Sequence, residues 1–83
     1  MVSKVIKRDG SRENFIPEKI VVSCCKSGAS PEAARRIASE IEKVKEQEID
    51  SQRIREMVLE KLRKENPDWE NNWLLYDRAV KRR

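Results

Sequence analysis

Apolar and polar side chains alternate from Val2 to Arg8, break at Asp9-Gly10, and continue in an extended pattern from Arg12 to Ile16. Alternation on both sides of an Asp-Gly pair predicts a β-hairpin over residues 2–16. The register follows from the charges. A loop with an odd number of residues puts Val5, Lys7, Glu13 and Phe15 on one face of the ribbon. A two-residue loop would set Ile6 opposite Glu13 and Lys7 opposite Arg12, a like-charge pair that costs stability. The odd loop is therefore expected, with one face apolar at one end and carrying a cation and a carboxylate near the turn.

After Pro17 the period changes to that of helices. Pro17 suits the first position of a helix that runs to about Ser27 and stops at Gly28. Its apolar residues are Ile20, Val21, Val22, Cys24 and Cys25. Ser30-Pro31-Glu32 is a second helix start, and Ala34, Ile37, Ala38, Ile41 and Val44 recur at spacings of three and four. The pattern breaks from Glu46 to Ile49, which predicts a short extended segment. Asp50 or Ser51 should cap a third helix with the stripe Ile54, Met57, Val58, Leu62 and Leu59. Asn66-Pro67-Asp68 ends it and opens a fourth, with Trp69, Trp73, Tyr76 and Val80 on one side. An isolated hairpin is marginal in water, so this one must lie on the helices. The expected fold is mainly α with a small β cap (α+β): an N-terminal hairpin and a short third strand over a four-helix cluster. Residues 1–83 are expected to form a single domain.

Composition narrows the chemistry. The 83 residues are 37% hydrophobic and 41% charged. A chain of this length buries only about 60% of its unfolded surface, which leaves little material for a deep catalytic cleft. There are no histidines, so the commonest general base and metal ligand are missing. No glycine-rich phosphate loop, nucleophile–base arrangement or metal quartet is present, and the chain is not expected to be an enzyme. No apolar run approaches the roughly 20 residues of a membrane span, and nothing at the start resembles a signal peptide. A cytoplasmic location is the expectation. Nineteen Lys+Arg against fifteen Asp+Glu give a net charge of +4, which favours anionic partners without choosing among them.

Three features have plain structural readings. Cys24 and Cys25 are adjacent on a helix, where neighbouring side chains diverge, so they read as free thiols with Cys24 and Cys25 acting as small apolar residues. Trp69, Trp73 and Tyr76 at helical spacing read as core before they read as a stacking platform. Lys81-Arg82-Arg83 reads as a solvated tail.

The first twenty residues are more specific. Val5-Ile6-Lys7-Arg8-Asp9-Gly10-Ser11-Arg12-Glu13-Asn14-Phe15-Ile16-Pro17-Glu18-Lys19-Ile20 resembles the opening of the ATP-cone family. Such modules begin with a V-x-K-R-D-G hairpin, then an acid, a hydrophobic residue, and a D/E-K-I helix start. The order of hairpin, two helices, short strand and two helices is also similar to the cone. Gly28-Ala29, Ile54 to Leu62, and Leu75-Tyr76 look like the family as well.

The resemblance implies binding of ATP or dATP, with magnesium. Family members control class I and III ribonucleotide reductases through their oligomeric state, and also occur in a bacterial repressor of reductase genes. By position, Lys7 matches the phosphate-contacting lysine, and the segment Glu13, Asn14, Phe15, Ile16, Pro17, Glu18, Lys19 matches the stretch that wraps the nucleotide. Within it Glu13 and Lys19 would make polar contacts, and Phe15 and Ile16 an apolar wall. Ile20 would line the base pocket, Ser51 stands where the family often has threonine, and Arg83 stands near a phosphate-reaching lysine. A triphosphate carries about four negative charges, so at least two cations should converge, with Lys7 and Lys19 the candidates and Arg83 a third. Lys45-Glu46-Gln47-Glu48 is more charged than the aromatic-containing stretch of the reductases. The expected function is a non-catalytic regulatory module that couples nucleotide state to self-association or to docking on an enzyme or regulator. The competing readings are a small basic nucleic-acid-binding protein, the N-terminal control domain of a larger nuclease, kinase or reductase, and a degenerate cone that binds nothing.

Overall fold

The computed structural model describes the backbone of residues 1–81 and the side chains of residues 1–77. Its first two strands, β1 (Lys4–Ile6) and β2 (Arg12–Asn14), are antiparallel, with Val5 opposite Glu13 and Ile6 opposite Arg12. The Lys7 N–H donates to the Ser11 carbonyl at 2.8 Å and the Gly10 N–H to the Lys7 carbonyl at 2.9 Å, so three residues turn the chain. The loop is odd, as the charge argument requires. Asp9 braces it, accepting from the Ser11 amide at 2.9 Å and the Ser11 hydroxyl at 2.6 Å. Gly10 has a φ of 86°, which supplies the left-handed residue of the turn. The strands are shorter than the alternation from residue 2 to 16. Val2 instead donates its N–H to the Glu42 carbonyl at 3.0 Å, which ties the N-terminus to the end of the second helix.

The third strand, β3 (Glu48–Asp50), pairs parallel to β1 with Val5 opposite Ile49, giving the order β2-β1-β3. A parallel pair needs a crossover of a dozen or more residues. Here it is supplied by α1 (Pro17–Lys26) and α2 (Pro31–Glu42). Helix α1 takes Pro17 at its first turn and ends before Gly28, whose φ is 107°. Helix α2 is capped by Ser30, whose hydroxyl accepts from the Ala33 amide at 3.2 Å. The predicted stripe is buried from Ala34 through Ile41, while Val44 lies past the helix end and is only half-buried.

Asp50 caps α3 (Ser51–Glu65), its carboxylate accepting from the Gln52 amide at 2.8 Å. Ser51 is therefore the first helical residue and not the cap. Asn66 bonds the Asp68 amide at 3.0 Å ahead of α4 (Pro67–Lys81). The core is built around Cys24, Ala34, Ile37, Ile41 and Leu62, all at 1% exposure or less. Trp69 and Trp73 pack against it, half-buried. Tyr76 does not join them: it is 39% exposed, and the Lys26 ammonium lies 5.0 Å from its ring and donates to its hydroxyl at 2.9 Å. Val80 and the basic residues Lys81, Arg82 and Arg83 lie outside the described side chains.

Two outcomes follow. A Cβ at Gly28 would strain a left-handed backbone and approach Trp69 Cδ1 to 3.2 Å. Gly28→Ala should destabilise the domain by about 1–3 kcal/mol, read as a lower Tm in thermal unfolding followed by circular dichroism. Burial pushes the Cys24 thiol up to about 11, with its neighbour Cys25 adding to the shift. At pH 8 an alkylating agent should modify the half-buried Cys25 and leave Cys24 unmodified until the chain unfolds, which mass spectrometry resolves.

Candidate functional site

Because Val5 faces Glu13 across the hairpin, the alternate residues Lys7 and Glu13 fall on one face of the ribbon. Their ion pair measures 3.3 Å. That face closes one side of a cleft of about 830 Å³, a volume typical of small-molecule sites at roughly 300–1,000 Å³. Each wall comes from a different element. The hairpin contributes Lys7, Arg8, Asp9 and Glu13; α1 contributes Lys19, Ile20 and Ser23; α3 contributes Ser51, Gln52, Ile54, Arg55 and Val58; α4 contributes Trp73 and Asp77.

The charges that line the cleft are close to balanced. Lys7, Arg8, Lys19 and Arg55 face Asp9, Glu13 and Asp77, four cations against three carboxylates. Lys7 is held by Glu13, and Arg55 by Asp77 at 3.1 Å. Both members of the Arg55–Asp77 pair are largely shielded, at 29% and 19% side-chain exposure, so this pair is less screened than the Lys7–Glu13 pair. The Arg55 guanidinium also lies over the Trp73 ring, 5.6 Å from its centroid. The Asp9 carboxyl sits below the usual carboxylate range because the Ser11 hydroxyl, and then the Ser11 amide, bond its charged form. It stays ionised at the mouth of the cleft.

A second, smaller pocket of about 160 Å³ adjoins the first. Val5, Phe15, Ile16, Ile20 and Ile54 give it apolar walls, and Glu13, Asn14, Lys19 and Ser51 a polar rim. Glu13, Lys19, Ile20, Ser51 and Ile54 border both spaces, so they are continuous. An apolar slot opening into a cation-lined cleft can hold a flat aromatic group at one end and several negative charges at the other.

Most of the sequence-predicted residues meet here. Lys7, Glu13, Lys19, Ile20 and Ser51 line the larger cleft, and Asn14, Phe15 and Ile16 the smaller pocket. Pro17 and Glu18 line neither. Pro17 starts α1, and Glu18 turns away to accept from Arg35 of α2 at 3.2 Å. The position assigned to Arg83 lies outside the described residues. Arg8, Arg55 and Asp77 were not assigned to the site from sequence, and Trp73 was read there as core, yet all four line the cleft. Two of them carried a signal. Arg8 belongs to the hairpin motif, and Arg55 follows Ser51 by four residues, one turn along the same helix face.

The sequence model of the ATP cone domain matches residues 3–78. Among curated proteins, the transcriptional repressor NrdR of Rippkaea orientalis is 40% identical over 70 residues, an alignment that covers 75% of this chain. The same alignment covers 39% of the repressor, so the chain spans well under half of that relative's length.

Proposed function

This chain belongs to the ATP cone domain family, and we propose that it is a non-catalytic regulatory module that binds ATP or dATP beneath its hairpin. The observation that carries this reading is the continuity of the two spaces. The adenine enters the small apolar pocket between Phe15, Ile16, Ile20 and Ile54. The phosphates then extend into the larger cleft, toward Lys7, Arg8, Lys19 and Arg55. Lys7 exchanges the Glu13 carboxylate for phosphate oxygens, and Glu13, Asn14 and Ser51 are left to bond the sugar and the base edge. Magnesium arrives on the triphosphate: among the described residues no group of three or more His, Cys, Asp or Glu side chains is placed to hold a metal by itself.

Binding performs no bond chemistry. It fastens the hairpin to α1 and α3 through a shared ligand, and the changed surface alters self-association or docking on the protein it controls. The match to a transcriptional repressor supports a regulatory output.

Lys7→Ala tests the site. Losing a charge-assisted contact to phosphate is worth about 1.5–3 kcal/mol, so affinity for ATP should fall roughly ten- to hundredfold in a calorimetric titration. The Tm should hardly move, because the exposed Lys7–Glu13 pair contributes little to stability. Light scattering during the same titration reads the change of mass. Unchanged affinity in Lys7→Ala would remove the residue from the site, and absence of binding by ATP, dATP and GTP alike would end the nucleotide reading.

A further inference from the structure

Among the described residues, two buried side-chain polar atoms have no hydrogen-bond partner: Arg55 Nε and Trp73 Nε1. They come from different helices, α3 and α4, yet their side chains line the same cleft and touch each other, the guanidinium lying over the indole. Both atoms are donors and neither can accept. What this wall lacks is an acceptor. A buried donor without one costs stability, so a pair of them side by side calls for a ligand oxygen.

We propose that Trp73 and Arg55 form an outer-phosphate subsite, in which the indole Nε1–H and the guanidinium Nε–H donate to oxygens of the bound polyphosphate. The inference rests on the nucleotide reading of the cleft and adds a residue to it. Trp73 borders the larger cleft and is absent from the small pocket, so it meets the part of the ligand farthest from the base. Asp77 pairs with the Arg55 guanidinium, which lies over the Trp73 ring, and the indole N–H is itself buried. A shift of Arg55 toward the phosphates uncovers it. Trp73 then reads the length of the phosphate chain, so that tri- is favoured over monophosphate.

The variant Trp73→Phe keeps a ring beneath Arg55 and removes the N–H together with part of the indole's bulk. In calorimetric titrations its affinity for Mg-ATP and for inorganic tripolyphosphate should fall about three- to tenfold, the value of one neutral hydrogen-bond donor. Its affinity for adenosine should match that of the unaltered chain. Its Tm should fall modestly, because the smaller ring fills less of the space beside the core. A purely packing role would give the same fall in Tm and leave tripolyphosphate affinity unchanged, and that result overturns the proposal. Should Trp73→Phe not fold, the indole ¹H–¹⁵N signals of the unaltered chain decide the matter. Tripolyphosphate should move the Trp73 signal downfield and leave that of Trp69 in place, whereas an unmoved Trp73 signal overturns the subsite. Binding of ATP with no effect at Trp73 defeats this inference alone. Failure of the unaltered chain to bind ATP or tripolyphosphate defeats the nucleotide reading and the subsite together.

Discussion

The parallel pairing of β1 with β3 is the constraint on which the rest of the molecule depends. Val5 and Ile49 sit opposite each other, both buried, and their pairing joins residues more than forty positions apart. Two consequences follow from that one contact. The chain between them must cross over, and α1 with α2 is the crossover, packed through the stripe Ala34, Ile37 and Ile41. The strand also ends at Asp50, which caps α3 directly, so the first turns of α3 are delivered beside the hairpin. Ser51 and Arg55 reach the cleft by that route.

The charges of the cleft are paired with one another. Bare cations gathered on a small domain would repel one another, and here Lys7 is matched with Glu13 and Arg55 with Asp77. On the proposed reading a polyanion would have to displace or share these carboxylates, so the net gain would be the difference between two favourable arrangements. Because the cations belong to the hairpin, α1 and α3, an anion that engages them all ties together elements that are otherwise only in contact.

Stability and function share residues in a chain this small. Trp73 packs on the core, carries the Arg55 guanidinium and lines the cleft, and its indole N–H goes unsatisfied. A larger domain could assign these tasks to separate side chains. Here the core has to accept an unsatisfied donor where a ligand would come, a local conflict of the kind that marks functional sites. The end of α1 shows the opposite case, where every group is used. Ser27 bonds back to the Ser23 carbonyl at 2.8 Å and its own carbonyl accepts from Asn72 of α4 at 2.9 Å.

Much of this was legible in the chain itself, and the reasons are local. Caps, turn glycines and apolar periods act within four or five residues, so the helix starts at Pro17, Ser30 and Pro67 and the odd hairpin loop could be read from neighbouring side chains and their charges. Residues 5–20, which resemble the ATP-cone opening, line much of the cleft and the small pocket for the same reason, because one continuous segment supplies the hairpin side. Contiguity also misled. Glu18 lies between two site residues in sequence, but the helical turn points it at Arg35 of α2 instead. Tyr76 shares a helical spacing with the tryptophans, yet it stays 39% exposed, with Lys26 over its ring. The sequence by itself thus determined the elements, their order and the lysine-bearing hairpin face. The tertiary structure alone decided that Arg55, Trp73 and Asp77 complete the cleft. Their meeting depends on how α3 and α4 pack beside the sheet, an arrangement set by buried contacts between distant segments that no local period encodes.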